Sequence, residues 1–138
     1  MIRYRSDEGV AEWMRAYWRS KGEDIDWPRP YICFGVEGDD GLGLGVIYER
    51  IINFDVCMHI VCTDRKLMTR RVVTAAFTFP FVNLGRSRVT GLVPASNMAS
   101  RELCEKLGFE LEGRRKHVYA DDDELVYGMT KEQCRWLR

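Results

Sequence analysis

From Tyr31 to Thr63 the chain runs through three apolar, β-rich stretches in succession with no helical period between them, so any fold it adopts must contain an antiparallel meander. Tyr31 to Glu37 and Leu42 to Ile51 flank Gly38-Asp39-Asp40-Gly41, a turn sequence that predicts a hairpin. Asn53 to Thr63 supplies the third strand. The segment before the meander has a different period. Val10, Trp13, Met14, Tyr17 and Trp18 recur at helical spacing, with Ser6 as N-cap, Asp7 and Glu8 in the first turn and Gly22 at the end. Pro28 and Pro30 then bar any regular helix before the first strand. Trp13, Tyr17 and Trp18 fall on the stripe that should face the core.

After the meander, Val72, Val73, Ala76 and Phe77 mark a helix over Met68 to Phe81 whose last turn is disturbed by Pro80. Arg88 to Val93 reads as a short strand ended by Pro94, and the order strand, helix, strand requires a right-handed crossover with its two strands parallel. Asn97 caps the next helix, which carries Leu103, Cys104 and Leu107 and closes at Gly108. Phe109 to Glu112, Arg114 to Tyr119 and Leu125 to Thr130 are β-like, with an acidic turn between the last two. The expected fold class is therefore α+β, a single domain over residues 1–138 with a mixed sheet flanked by helices.

Length and composition narrow the function. At 138 residues and 46% hydrophobic content the chain can bury a core of its own. Its 21 basic and 21 acidic side chains cancel, which excludes a general nucleic-acid coat. The five cysteines, Cys33, Cys57, Cys62, Cys104 and Cys134, form neither a paired framework nor a metal-ligand spacing. No apolar run reaches the length of a membrane span and no leader is evident, so the sequence reads as cytoplasmic, with no membrane partner and nucleic acid not expected.

From Asn97 onward, NMASRELCEKLGFELEGRRKHVY resembles the C-terminal signature of the GNAT acyltransferases, an Asn-led helix with a Lys-Leu-Gly-Phe corner and a Glu-Gly-x-x-Arg strand, in the branch of the ribosomal-protein N-terminal acetylases. Phe81-Val-Asn-Leu84-Gly85-Arg-Ser-Arg88-Val89 is similar to the family's link between its third helix and fifth strand. The closing residues from Tyr127 also resemble small GNAT-like proteins of tailed bacteriophages. The resemblance implies splayed parallel strands, the fourth and fifth, and transfer of an acyl group from acetyl-CoA to a primary amine. It implies that pantetheine lies along the edge of the fourth strand near Ile60 and Val61, contacted by Asn97. It also places the pyrophosphate at the helix that begins near Arg70. The family's glycine-bearing phosphate loop falls on Asp64-Arg65-Lys66-Leu67-Met68-Thr69, where Leu67 and Thr69 replace small residues and Asp64 replaces the usual Arg or Gln. Leu67 should then obstruct or strain the loop, while Arg65, Lys66, Arg70 and Arg71 offer side-chain contacts to phosphate instead.

For the chemistry, His59 on the fourth strand is the candidate base, with His117 second. Ser100 and Cys104 are candidate acids facing the CoA sulfur, with packing as the alternative role of Cys104. Tyr119 and Tyr127 stay open as donors. The carboxylates of Glu23-Asp24-Ile25-Asp26 and Asp121-Asp122-Asp123-Glu124 favour a cationic amine unless they are only solvated loops. A homodimer is left open. Two functions follow: an acetyltransferase working by direct attack in a ternary complex, or a catalytically inactive, phage-encoded binding protein of the same fold whose phosphate loop has degenerated.

Overall fold

The computed structural model describes residues 2–138. The meander forms as its alternation requires: β2 (Ile32–Gly38), β3 (Gly41–Ile52) and β4 (Asp55–Cys62) pair antiparallel in sequence order. A short strand not foreseen from the sequence, β1 (Arg3–Arg5), adds to the outer edge of β2. On the other side come β5 (Arg88–Pro94), β7 (Asp122–Thr130) and β6 (Glu110–Tyr119), giving one seven-stranded sheet in the order β1-β2-β3-β4-β5-β7-β6. Among the described residues only β4 and β5 pair parallel, as the crossover predicts.

The three helices cover both faces of this sheet. Helix α1 (Glu8–Ser20) lies over β2 and β3, where Val10, Ala11 and Met14 pack with Cys33, Ile47 and Val61. Its cap is Asp7 rather than Ser6. The Asp7 carboxylate accepts from Gly9 N–H at 2.9 Å and pairs with Arg5 at 2.6 Å, so the charged residue takes the position where the helix dipole favours an anion. On the opposite face, α2 (Arg70–Thr78) and α3 (Met98–Leu107) cover the larger core of Val46, Tyr48, Met58, Phe77, Phe81 and Phe109. The alternation of β3 sorts the two cores: Leu44, Val46 and Tyr48 face α2, while Gly45, Ile47 and Glu49 face the α1 side.

The helix expected to run to Phe81 stops as an α-helix at Thr78 and widens into a π-turn over Phe79–Asn83. Pro80 has no N–H for the carbonyl of Ala76 one turn back. The phenol of buried Tyr48 donates to that carbonyl at 2.5 Å, which ties β3 to α2 and satisfies the group that proline orphans. Gly108 closes α3 at φ +104° and Asn97 caps it by accepting from Ser100 N–H at 3.1 Å, both as expected. No helix among the described residues is long and apolar enough to cross a membrane. Tyr48→Phe should cost about 1–3 kcal/mol, because the Ala76 carbonyl is left buried and unpaired. Urea unfolding of wild type and variant checks this, and a difference below about 0.5 kcal/mol would show that the carbonyl finds another donor.

Candidate active site

Strands β4 and β5 meet at a single residue pair, Cys57 with Thr90, and then diverge. The narrow end is fixed by a polar clamp in which the Thr90 hydroxyl donates to Asp55 at 2.8 Å and Arg88 approaches the same carboxylate at 3.4 Å. Beyond it, the His59 to Cys62 edge of β4 has no strand partner on the β5 side. The gap is a cavity whose walls include Met58, His59, Gly91, Cys104, Phe109 and Tyr119. It continues past Ile60, Asn97 and Ser100 into a wider hollow of about 390 Å³ reaching Val61, Arg65 and Lys106. The fold thus brings His59 of β4 together with Asn97, Ser100 and Cys104 of α3 and its cap in one continuous cleft.

His59 is three-quarters or more enclosed and its Nε2 lies 2.6 Å from Oε2 of Glu49, a side chain only 1% exposed. Ile47 stands opposite His59 in the β3–β4 register, so Glu49, two residues on, shares its face. The Trp27 ring stands 6.1 Å from the imidazole, centroid to centroid. Glu49 was not singled out from the sequence. Its signal there is a carboxylate at a position of Leu42–Ile51 that alternation assigns to a buried face.

Helix α3 offers the cleft its first turn and its Cys104 face. The Asn97 amide oxygen is taken by the cap, and Ser100 borders both hollows. Burial pushes the Cys104 thiol up to about 12, so it holds almost no thiolate at neutral pH. Tyr119 also reaches the cleft. Burial first, and then the charge of Glu124, push its phenol up to about 12, and its hydroxyl donates to Glu124 at 3.3 Å. Tyr127 is buried in the core and meets Glu105 at 3.4 Å, outside the cleft lining. His117 sits exposed in the irregular last part of β6 with φ +60°, beside a separate surface hollow.

The phosphate-loop segment differs from its sequence reading. Leu67 does not project from the loop: it is buried, in a depression that the sheet leaves at Gly38 and Gly43. A Cβ on Gly43 would lie 2.7 Å from the leucine methyl, so the missing side chain makes the room. Asp64 caps the short turn of Arg65–Leu67 by accepting from Lys66 N–H at 3.1 Å. Thr69 caps α2, its hydroxyl accepting from Val72 N–H at 3.2 Å, which leaves the amides of Arg70 and Arg71 ahead of the first intrahelical bond. Arg65 borders the outer hollow, Lys66 and Arg71 are exposed, and the Arg70 guanidinium lies 5.8 Å over the Trp136 ring.

Two further expectations need revision. Tyr17 and Trp18 form a wall of the outer hollow instead of belonging wholly to the core under α1. The acidic turn is more than a solvated loop, because Glu124 is buried, paired with Arg115 at 2.8 Å, and Asp122 accepts from the Ser96 hydroxyl at 2.6 Å. The charges of Glu124, Asp122 and Glu23 also help to hold the Tyr119 phenol up, which brings these carboxylates within electrostatic reach of that residue. Among the described residues no group of His, Cys, Asp and Glu could hold a metal ion.

No protein-family profile matches this sequence, and no curated protein does. Solved structures do match. A point mutant of spermidine N-acetyltransferase SpeG from Vibrio cholerae superposes with a TM-score of 0.78 at 15% identity, covering 99% of this chain and 96% of that one. Glutamine-for-glutamate mutant forms of the spermidine/spermine N-acetyltransferase SpeG from the same organism give 0.75 at 15% identity over 95% and 94%. A dodecameric structure of that enzyme in an intermediate state gives 0.73 at 15% identity over 95% and 94%. The chain therefore has the fold of the GNAT acetyltransferases, with the mixed sheet and parallel β4–β5 pair expected of it.

Cys104 should label slowly with a thiol reagent in the native protein, and Cys104→Ala should cost about 1–3 kcal/mol. Since its folded value lies above the ordinary 9.0, its contribution is complete below pH 9 and is lost as pH rises toward 12. The Ala variant should accordingly lose less stability than wild type between those limits. Fast labelling at neutral pH would contradict a partly buried, protonated thiol.

Proposed function

We propose that this chain is a single N-acyltransferase domain, residues 1–138, that transfers an acetyl group from acetyl-CoA to a primary amine of cationic character. The observation that carries the reading is the unpaired edge of β4 opening onto a cleft that holds His59 and the cap of α3. An extended ligand with amides of its own, such as pantetheine, can pair with that edge as a strand would. Ile60 and Val61 are the residues we assign to it, with the free end of the Asn97 amide facing the same ligand. A backbone N–H of this edge would meet the oxygen that gains charge during attack.

The pyrophosphate is assigned to the start of α2, where the amides of Arg70 and Arg71 and the helix dipole favour an anion. Arg65 is its nearest side-chain contact from the outer hollow, with Lys66, Thr69, Arg70 and Arg71 around it. The burial of Leu67 removes the obstruction that would have favoured an inactive homologue. His59 takes the proton of the incoming ammonium, and Ser100 faces the departing sulfur. Cys104 contributes packing beside them, while Tyr119, protonated at neutral pH, is a second donor. The carboxylates Glu23, Asp122 and Glu124 support a cationic acceptor, as does the spermidine named for the structural neighbours. The dodecamer recorded for one neighbour supports self-association, and the free cysteines suit a cytoplasmic setting.

Calorimetric titration with acetyl-CoA should give saturable heat, and Arg65→Glu should weaken it by about tenfold or more, roughly 1.4 kcal/mol. Raising salt should reproduce part of that loss. His59→Gln should lower kcat by roughly ten- to a thousandfold while leaving acetyl-CoA affinity unchanged. A folded wild-type protein that gives no heat and no thermal shift with millimolar acetyl-CoA would overturn the acetyltransferase reading.

A further inference from the structure

We infer that Glu49 is the positioning residue of the His59 base: it fixes which imidazole nitrogen carries the hydrogen and leaves the other free to take the proton of the amine. This rests on the acyl-transfer reading of the cleft.

Glu49 is a carboxylate with a 1% exposed side chain on the α1 face of the sheet, a face otherwise filled by Val10, Met14, Trp27, Ile47 and Val61. Leaving a carboxylate in such a place is costly unless it is paired and hydrogen-bonded. Arg50 lies 3.2 Å from Oε1 and supplies opposite charge, but that oxygen accepts no hydrogen bond among the described residues. The hydrogen-bond contact of the carboxylate is the one at Oε2, which lies 2.6 Å from His59 Nε2. An ionised carboxylate can only accept, so Nε2 is the protonated nitrogen. Nδ1 then has the lone pair, and no partner is found for it among the described residues. The ring is further confined by Trp27 at 6.1 Å and borders the cleft.

This is the arrangement a base requires, with one nitrogen anchored to a carboxylate and the other available. The incoming ammonium gives a proton to Nδ1, making an imidazolium that Glu49 stabilises. The freed nitrogen lone pair attacks the thioester carbon and forms the C–N bond. Collapse of the adduct breaks the C–S bond, the sulfur leaves with the bonding pair, and the remaining surplus proton on nitrogen passes to it. The products are the amide, the CoA thiol and one proton returned from His59 to solvent.

The test begins with the wild type and needs no substrate. With only two histidines in the chain, a His117→Gln background leaves one ring to read by 15N NMR. The neutral His59 should appear as the Nε2–H tautomer alone, and Glu49→Gln, whose amide can also donate, should populate both tautomers. In steady-state assays Glu49→Gln should lower kcat by about tenfold or more and leave the KM for acetyl-CoA within about twofold. Combined with His59→Gln, it should cost no further kcat, because it acts through the ring. An Nδ1–H tautomer in an active wild type, full kcat in folded Glu49→Gln, or an independent loss in the double variant would each overturn the assignment. A wild type that acetylates no amine yet shows the Nε2–H signature would overturn the acyl-transfer reading and, with it, the catalytic sense of the pair.

Discussion

Two parallel strands that share one residue pair set the terms for the whole molecule. β4 is bound along its length to β3, and β5 to β7, through paired registers of seven residues each. The sheet is therefore continuous at Cys57 and Thr90 and open above them. Backbone amides on an open edge need partners, and in a sheet interior water is a poor substitute for a strand. The wedge can stay open only because α3 and the loop after β4 line its sides, which makes the same gap a slot for an extended ligand.

The groups that hold this opening are polar and range from buried to half-exposed, and their value lies in orientation more than in stability. Asp55, Thr90 and Arg88 pin the narrow end, and Arg88 reaches on to Glu112 of β6 at 2.7 Å, so three strands converge on one charged network. Tyr48 fixes α2 through the carbonyl released by Pro80. Glu124 ties Tyr119 and Arg115 across β6 and β7. Apolar replacements of such pairs are often neutral for stability, but none would keep a phenol or an imidazole aimed into the cleft. The Glu49–His59 pair is the most deeply enclosed ion pair among the described residues.

Elements whose signal is a local period were legible in the sequence. The meander, the three helices, the Asn97 cap and the Gly108 stop all depend on spacings within a dozen residues. β1 was not legible, since three residues carry no period and its pairing exists only because β2 presents an edge. The cap of α1 moved from Ser6 to Asp7 because Arg5, outside the helix, holds the Asp7 carboxylate. Trp18 was assigned to the core because a helical stripe defines a face without saying how wide the opposing sheet is. His59, Asn97 and Ser100 were found one at a time, but their meeting in a single cleft with Glu49, Trp27 and Tyr119 depends on register between strands. No spacing within one segment encodes that register.

The loop of Asp64 to Thr69 shows how such non-local information changes a functional reading. In the family pattern, small residues in this loop let phosphate approach the backbone. Here the small residues are Gly38 and Gly43 in β2 and β3, more than twenty residues earlier, and they receive the loop's own leucine. With Leu67 sunk into the sheet, the turn is anchored from beneath, and its polar backbone and basic side chains are carried on the outer surface. On the proposed reading, a loop built this way would meet phosphate through the α2 amides and through guanidinium and ammonium groups, without the close backbone approach that glycine allows. Its affinity would then depend more on charge and less on shape, so that a chain without the loop glycines would keep an anion site by placing its glycines where the loop rests.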